Sequence, residues 1–210
     1  MKNNIIVGVE GVSYSGKTTF CEKAVSNNNV IIVSESPKFC GITIKVTDNN
    51  VDIIKNSELT LQIEEKRTKY AFQQFKSNVL LFDRTIFSFI SISYAYYNTG
   101  MINYYNDYID QIINGIKNKI YLVPDYLIYL EVSDEETLKR MQRKRKNLPE
   151  YWLSSKFKNS ICELMNKVKN FYQTNNRFIH CDEFETFLNK HKFTKIDSNS
   201  IIDLLLELKI

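Results

Sequence analysis

The sequence Gly11-Val12-Ser13-Tyr14-Ser15-Gly16-Lys17-Thr18 matches the pattern G-x-x-x-x-G-K-[ST] at every constrained position. It follows an apolar run at residues 5–9 and precedes a helical pattern at residues 17–25. A glycine-rich loop between a buried strand and a helix directs backbone N–H groups at phosphate oxygens, and the helix N-terminus adds a partial positive charge. The stretch therefore predicts a phosphate-binding loop.

Each residue type in this loop has a predicted role. Lys17 would bridge the β- and γ-phosphates of a nucleoside triphosphate, Thr18 would offer its hydroxyl to Mg²⁺, and Thr19 would be a second polar contact. The glycines allow the backbone angles that turn the amides inward. The predicted nucleotide-binding residues are Gly11, Ser13, Tyr14, Ser15, Gly16, Lys17, Thr18 and Thr19.

Short apolar runs alternate with longer amphipathic stretches along the rest of the chain. Runs at residues 30–33, 78–82, 126–131 and 193–197 predict further buried strands, and residues 177–181 predict a short strand or an extended loop. Residues 37–55 predict a loop, and residues 59–76 a helix. This alternation is typical of a parallel sheet with helices on both faces, in one domain spanning residues 1–210.

Composition excludes several function classes. The chain has 210 residues, 25% charged residues and a net charge of +4, which is well short of the charge of a dedicated nucleic-acid binder. No run approaches the roughly 18 apolar residues of a membrane span. The cysteines and the two histidines lack metal-ligand spacing. The cysteines also show no C-x-x-C spacing, which favours free thiols in the reducing cytoplasm. The cysteines are Cys21, Cys40, Cys162 and Cys181.

Other motifs separate the classes of phosphate-loop protein. Thr194-Lys195-Ile196-Asp197 matches the guanine motif of GTPases, but D-x-x-G is absent from the sequence. No apolar strand ends in the paired acidic residues that are typical of ATPase motors, and the chain is also short for a motor. These absences count against a GTPase and an ATPase motor and favour a kinase among the classes compared.

Two acidic positions follow predicted strands where a phosphoryl acceptor would bind. Glu35 follows the second strand, and Asp83 with Arg84 follows the third. A carboxylate there could orient or deprotonate an attacking hydroxyl, and an arginine could neutralise charge on the transferred group. The alternative is that Glu35 caps a loop and that Asp83 and Arg84 form a surface ion pair.

A dense cationic run, residues 139–146, allows three interpretations: a solvated helix face, a nucleic-acid patch, or a lid over the nucleotide at about residues 139–150. Its position after the fourth strand favours the lid, with Arg140, Arg143 and Arg145 around the phosphates.

Together, the Glu10-Gly11 lead, the Ser-Gly-Lys-Thr-Thr run, the Asp83-Arg84 pair and the arginine-rich segment resemble the thymidylate kinase and deoxynucleoside kinase superfamily. The resemblance implies a three-layer P-loop NTPase fold with a five-stranded parallel sheet, ATP and Mg²⁺, and a nucleoside or nucleoside monophosphate as acceptor. It also implies a homodimer. Gln62 and Arg67 would contact base and phosphate, and Asp83 would be a Mg²⁺ or hydroxyl partner.

Details at two motifs favour one branch of this superfamily. Thymidylate kinases usually carry an acidic residue inside the phosphate loop and a Glu-Pro-Gly-Gly turn after the second strand. In this sequence Val12-Ser13-Tyr14 has no acidic residue, and Ser34-Glu35-Ser36-Pro37 lacks that turn. We therefore expect transfer of the γ-phosphate of ATP to a nucleoside 5′-hydroxyl. The alternatives are a monophosphate acceptor, another hydroxyl such as that of a sugar, cofactor or antibiotic, and a nucleotide-dependent regulatory or RNA-binding protein.

Five tyrosines lie close together in the sequence between the third and fourth strands. One could stack on a base, but aromatic residues at helical spacing more often pack in the core. They are Tyr94, Tyr96, Tyr97, Tyr104 and Tyr105.

Overall fold

The computed structural model describes residues 4–24, 30–42, 44, 47–74, 79–143, 150–189 and 192–210. In this part of the chain four strands form one parallel sheet in the order β2-β3-β1-β4. They are β1 (Ile5–Glu10), β2 (Val30–Val33), β3 (Val79–Asp83) and β4 (Tyr126–Tyr129). Every residue of β1 is buried, as expected for a central strand covered on both faces.

The expectation of five strands is wrong for the described residues. Residues 193–197 form no strand, because the Ile196 amide donates to the Asp125 carboxylate at 2.9 Å and makes no ladder. Beside β4 lies one isolated bridge, between Leu127 and Phe178. The interpretation of residues 177–181 as an extended segment therefore agrees with the structure better than the predicted final strand does.

Ten α-helices and one 3₁₀ turn occur in the described residues. The α-helices are α1 (Lys17–Ala24), α2 (Ser36–Cys40), α3 (Asn50–Phe72), α4 (Ile86–Asn98), α5 (Tyr105–Lys117), α6 (Asp134–Arg143), α7 (Glu150–Leu153), α8 (Ser155–Thr174), α9 (Phe184–Leu188) and α10 (Ser198–Glu207). The 3₁₀ turn is Cys181–Glu183.

The predicted loop at residues 37–55 is partly wrong. It contains most of α2 and the first residues of α3, which begins at Asn50. The Asn49 side chain accepts hydrogen bonds from the amides of Val51 and Asp52, which is the geometry of an N-cap. The Asp-Asn-Asn stretch thus starts a helix.

Helices cover both faces of the sheet. On one face, Val7 and Val9 of β1 pack in a cluster with Cys21 of α1 and Phe184 of α9. On the other face, Leu80 and Phe82 of β3 pack with Ala71 of α3, and the largest cluster joins α4, α5, α8 and α10. The result is a three-layer α/β fold, and no described helix has the length and apolar character needed to cross a membrane.

Candidate active site

The loop between β1 and α1 contains three residues with positive φ, as expected for a glycine-rich loop. Gly11, Tyr14 and Gly16 have φ values of 145°, 65° and 100°. A Cβ atom on Gly11 would lie 2.4 Å from the Leu130 carbonyl oxygen, so this position accepts only glycine. Ser13 is half-buried in the loop, and Thr19 is exposed on α1.

Lys17 is buried inside this loop. Its ammonium group donates to the carbonyls of Gly11 and Val12 at 2.8 and 2.7 Å and to Ser15 Oγ at 3.2 Å. Burial lowers the pKa of Lys17 to about 7, and the nearby Arg84 charge lowers it further. A bound polyphosphate would replace these carbonyls with anionic oxygens and restore the charge.

A carboxylate from the end of β3 meets the first turn of α1. The Thr18 hydroxyl donates to Asp83 Oδ2 at 2.7 Å. Asp83 is only 2% exposed, and its Oδ1 is buried without a hydrogen-bond partner. A buried unpartnered carboxylate oxygen beside a hydroxyl suits a hard cation such as Mg²⁺, which takes one or two carboxylates and completes its shell with phosphate and water. The described residues contain no cluster of three or more His, Cys, Asp or Glu side chains for a metal.

Arg84 follows Asp83 and joins the two acceptor-side positions. Its Nε donates to Glu35 Oε2 at 3.0 Å, and its Nη1 lies 3.4 Å from Ser88 Oγ. Ser88 in turn donates to the buried carboxylate of Glu10, which also accepts from the amide and hydroxyl of Thr85 at 2.7 Å each. Hydrogen bonds thus connect the end of β1 to Glu35. Sequence reasoning missed Glu10 as part of this network.

Arg67 lies in the interior, against the ends of two strands. It is fully buried, is paired with Glu64, and donates from Nη2 to the carbonyls of Val33, Asp83 and Arg84 at 3.3, 3.2 and 2.9 Å. Its guanidinium also lies 4.9 Å from the centre of the Phe82 ring. Arg67 therefore holds the ends of β2 and β3 together, and the expectation of substrate contact does not agree with this placement.

A cavity of about 220 Å³ opens beside the Arg84–Glu35 pair. This volume is below the roughly 300–1,000 Å³ of typical ligand pockets, so it suits a small group such as a heterocyclic base. Mostly apolar and aromatic side chains line it: Glu35, Ile44, Ile53, Asn56, Ser57, Thr60, Arg84, Phe89, Ile92, Ser93, Tyr96, Tyr108 and Trp152.

Helix α3 contributes to this cavity at helical spacing, through Ile53, Asn56, Ser57 and Thr60. Gln62 is exposed and is not among the cavity residues, so its expected contact with a base is not supported by the structure. The apolar spacing along α3 could indicate which face of the helix lines the cavity, but the sequence predicts a loop for residues 50–55, where the helix begins.

Aromatic residues from two helices form one wall of the cavity. Trp152 Nε1 donates to the Tyr96 hydroxyl at 3.2 Å, and the Tyr96 and Tyr151 hydroxyls are 3.3 Å apart. Tyr151 donates its proton to the Thr47 carbonyl, so Tyr96 is the donor to Tyr151. Of the five tyrosines singled out in the sequence, Tyr96 alone lines the cavity, and the others pack in or against the core as expected.

The cationic run reaches the phosphate loop through one described side chain. Arg140 Nη1 donates to the Tyr14 carbonyl at 3.0 Å, and its Nε donates to Glu136 at 2.7 Å. Arg143 belongs to α6 but its side chain is outside the described part of the structure, as is Arg145 entirely. The lid thus stays a prediction, with Arg140 placed beside the loop.

The parallel sheet, the glycine-rich loop between β1 and α1 and the carboxylate at the end of β3 together form a P-loop fold. Solved structures of nucleoside and nucleotide kinases share this fold. Among solved structures, the deoxyadenosine kinase from M. mycoides with bound dATP matches with a TM-score of 0.60 and 20% identity, over 97% of this chain and 98% of that chain. The same enzyme with the products dCMP and dCDP matches with a TM-score of 0.58 and 19% identity, at the same coverage.

Thymidylate kinase from Candida albicans also matches, with a TM-score of 0.57 and 15% identity over 88% of this chain and 89% of that chain. No protein-family model and no curated protein sequence matches the chain. The resemblance seen in the motifs is therefore confirmed as a shared fold.

Proposed function

We propose that the protein is an ATP-dependent kinase that transfers the γ-phosphoryl group to the 5′-hydroxyl of a nucleoside or deoxynucleoside. The observation that carries this proposal is the Glu35–Arg84 ion pair, which lies at the cavity and adjoins the phosphate loop through Asp83. An acceptor in the cavity would have its hydroxyl near Glu35. A nucleotide on the loop would have its terminal phosphate near Lys17.

The roles of the side chains follow from their positions. Lys17 and the loop amides would hold the phosphates of ATP, and Thr18 and Asp83 would hold Mg²⁺. When bound, Mg²⁺ would neutralise charge that develops on the phosphate oxygens. Glu35 would orient the attacking hydroxyl or accept its proton, while Arg84 would remain close enough to face the transferred phosphoryl group.

The charge around the cavity supports an uncharged acceptor. Among its described lining residues, Glu35 and Arg84 are the charged ones, and they neutralise each other. A monophosphate carrying a charge of about −1.5 to −2 would lie against the Glu35 carboxylate without an unpaired cation to balance it. A nucleoside avoids this repulsion, and a nucleoside monophosphate is the alternative acceptor.

Arg140 supports the proposal that a lid closes over the nucleotide, with Arg143 and Arg145 adding charge. Its guanidinium already contacts the Tyr14 carbonyl of the loop. In the described part of the run, Lys139 and Arg140 pair with Glu135 and Glu136, which reduces the charge available to a nucleic acid. A cytoplasmic homodimer that acts on small molecules completes the proposal.

The test is transfer of label from γ-labelled ATP with Mg²⁺ to a panel of nucleosides and nucleoside monophosphates. We expect a labelled nucleoside 5′-monophosphate with the wild type and none with Lys17→Ala. Glu35→Gln should retain ATP binding and lose turnover by about 10²-fold or more. The matched control is Glu65→Gln, which removes a carboxylate paired with Lys69 on the surface of α3 and should keep full turnover.

Each contrary outcome identifies a different error. Label in monophosphates alone would show that the acceptor assignment is wrong. Full turnover in Glu35→Gln would remove the role given to that carboxylate. ATP binding without transfer to any acceptor in the panel would point to another hydroxyl or to a regulatory protein, and steep loss of RNA affinity with salt would identify the RNA-binding alternative.

A further inference from the structure

Three hydroxyl groups on the α3 side of the cavity donate their protons to other atoms of the protein. Ser57 Oγ donates to the Ile53 carbonyl at 3.0 Å, and Thr60 Oγ1 donates to the Ser57 carbonyl at 2.6 Å. The contact of 3.0 Å between Thr60 and the Tyr108 hydroxyl must therefore have Tyr108 as its donor. These three side chains have no proton left for a ligand.

The polar groups of the aromatic wall also donate their protons to other atoms of the protein. The indole N–H of Trp152 is given to Tyr96, the Tyr96 proton to Tyr151, and the Tyr151 proton to the Thr47 carbonyl. Trp152 and Tyr96 can therefore offer a ligand ring faces and edges but no hydrogen-bond donor. A hydrogen bond donated to a ligand must therefore come from elsewhere in the cavity.

Ser93 of α4 lines this cavity and differs from the hydroxyls around it. Its side chain is 2% exposed, and its Oγ is buried without a hydrogen-bond partner. Two positions earlier, the equally buried Ser91 donates to the Ser88 carbonyl at 2.8 Å, as serine commonly does inside a helix. An unpartnered buried hydroxyl is unfavourable in the free protein, so a ligand that bonds to it gains affinity.

We propose that Ser93 is a specificity-determining residue that forms a hydrogen bond with a polar atom on the edge of the acceptor's base. The base would lie against Phe89, Ile92 and Tyr96, which line the cavity from the same helix. A site whose buried polar group matches a ligand atom rejects analogues that lack this atom, because the group is then left unpaired. This inference rests on the proposed nucleoside acceptor.

The test compares the wild type, Ser93→Ala and the matched control Ser91→Ala. The acceptors are the best nucleoside of the panel and analogues that each lack one polar atom of the base edge, either an exocyclic group replaced by hydrogen or a ring nitrogen replaced by C–H. Ser93→Ala should lower kcat/KM about three- to tenfold for the parent nucleoside. For one analogue it should change nothing, because the bond is already absent. Ser91→Ala should treat parent and analogues alike.

A change in kcat/KM that is equal for the parent and every analogue would overturn the proposal, because it would show a general structural effect. So would no change for the parent. A second readout is stability: loss of an unpartnered buried hydroxyl should raise the Tm of the free protein by about 2–12 °C. An unchanged or lowered Tm would mean that the hydroxyl is already bonded and would also overturn the proposal.

Binding separates this inference from the proposed function. Trp152 is the sole tryptophan of the chain and lies in the cavity wall, so its fluorescence reports nucleoside binding without turnover. If nucleosides bind but are not phosphorylated, the dissociation constants for parent and analogues replace kcat/KM in the same comparison. If the wild type binds no nucleoside, the inference and the proposed function are both wrong.

Discussion

Replacement of Arg67 by methionine should destabilise the protein severely. Met fills similar volume but removes the pairing of a fully buried guanidinium with Glu64 and leaves three strand-end carbonyls with one donor fewer. Breaking a buried ion pair by deleting one partner costs about 3–5 kcal/mol, because the other charge stays buried. For a chain of this size, each kcal/mol lowers Tm by roughly 2–4 °C.

We therefore expect the free energy of unfolding to fall by about 3–5 kcal/mol and Tm by roughly 6–20 °C. The double variant Arg67→Met with Glu64→Gln should recover part of this loss, because no full charge then lacks its ion-pair partner. The matched control is Lys66→Met, at the adjacent and exposed position of α3, which should stay within about 0.5 kcal/mol of the wild type.

Urea unfolding followed by circular dichroism measures these differences in the free energy of unfolding. We expect the slope of this free energy against urea concentration to be the same for all variants. The steady-state constants of the same variants separate the two roles considered for Arg67. Loss of substrate binding with stability within about 1 kcal/mol of the wild type would refute the reasoning, because it would return Arg67 to the acceptor site.

Two further predictions concern the donor side. Because the pKa of Lys17 is about 7 in the free protein and ATP should restore its charge, binding at pH 8 should take up about 0.9 proton, as measured by calorimetry in buffers of different ionisation enthalpy. Lys17→Arg, which stays charged, should take up none, and absence of uptake by the wild type would contradict the lowered pKa. Asp83→Asn should raise the Mg²⁺ concentration needed for half-maximal turnover by about tenfold or more, since the lost charge faces the proposed metal position. An unchanged Mg²⁺ titration would remove Asp83 from that role.

The local sequence was sufficient to predict the positions of the four observed strands and of the phosphate loop. The apolar runs located the four observed strands, and the glycine pattern located the phosphate loop. The start of α3 was missed although its signal was local: Asn49 is an N-cap, but three polar residues in succession also suit a turn.

Contacts between residues distant in the sequence explain the other differences between the predicted and the observed structure. Residues 193–197 have a strand-like pattern, yet the Asp125 carboxylate takes the Ile196 amide, and no sequence pattern shows that competition. Only the family resemblance predicts substrate contact for Arg67 and Gln62. Which side of α3 faces the cavity depends on the packing of the whole helix, and that depends on contacts from distant segments.

The residues that line the cavity divide into those that the sequence could indicate and those that it could not. The sequence predicts that Glu35 and Arg84 lie close together, because strand ends in parallel sheets converge at one edge, and the two side chains form an ion pair. The sequence does not indicate that Ser93 and Trp152 line the cavity, because both lie on helices, where a serine or an aromatic residue within an apolar pattern is typical of ordinary packing. Their significance depends on which hydroxyls lack a partner, which is a property of the folded molecule.

Arg84 adopts a φ of 66°, which residues with a side chain rarely occupy and which costs of order 1–3 kcal/mol. Its amide donates to the Val9 carbonyl at 3.0 Å and its carbonyl accepts from Arg67, so the conformation is imposed by neighbours on both sides. Glycine is the residue that would relieve the strain, yet it would remove the guanidinium. Selection for stability and selection for activity therefore act in opposite directions at this position, and homologues that have lost activity should tend to carry glycine there.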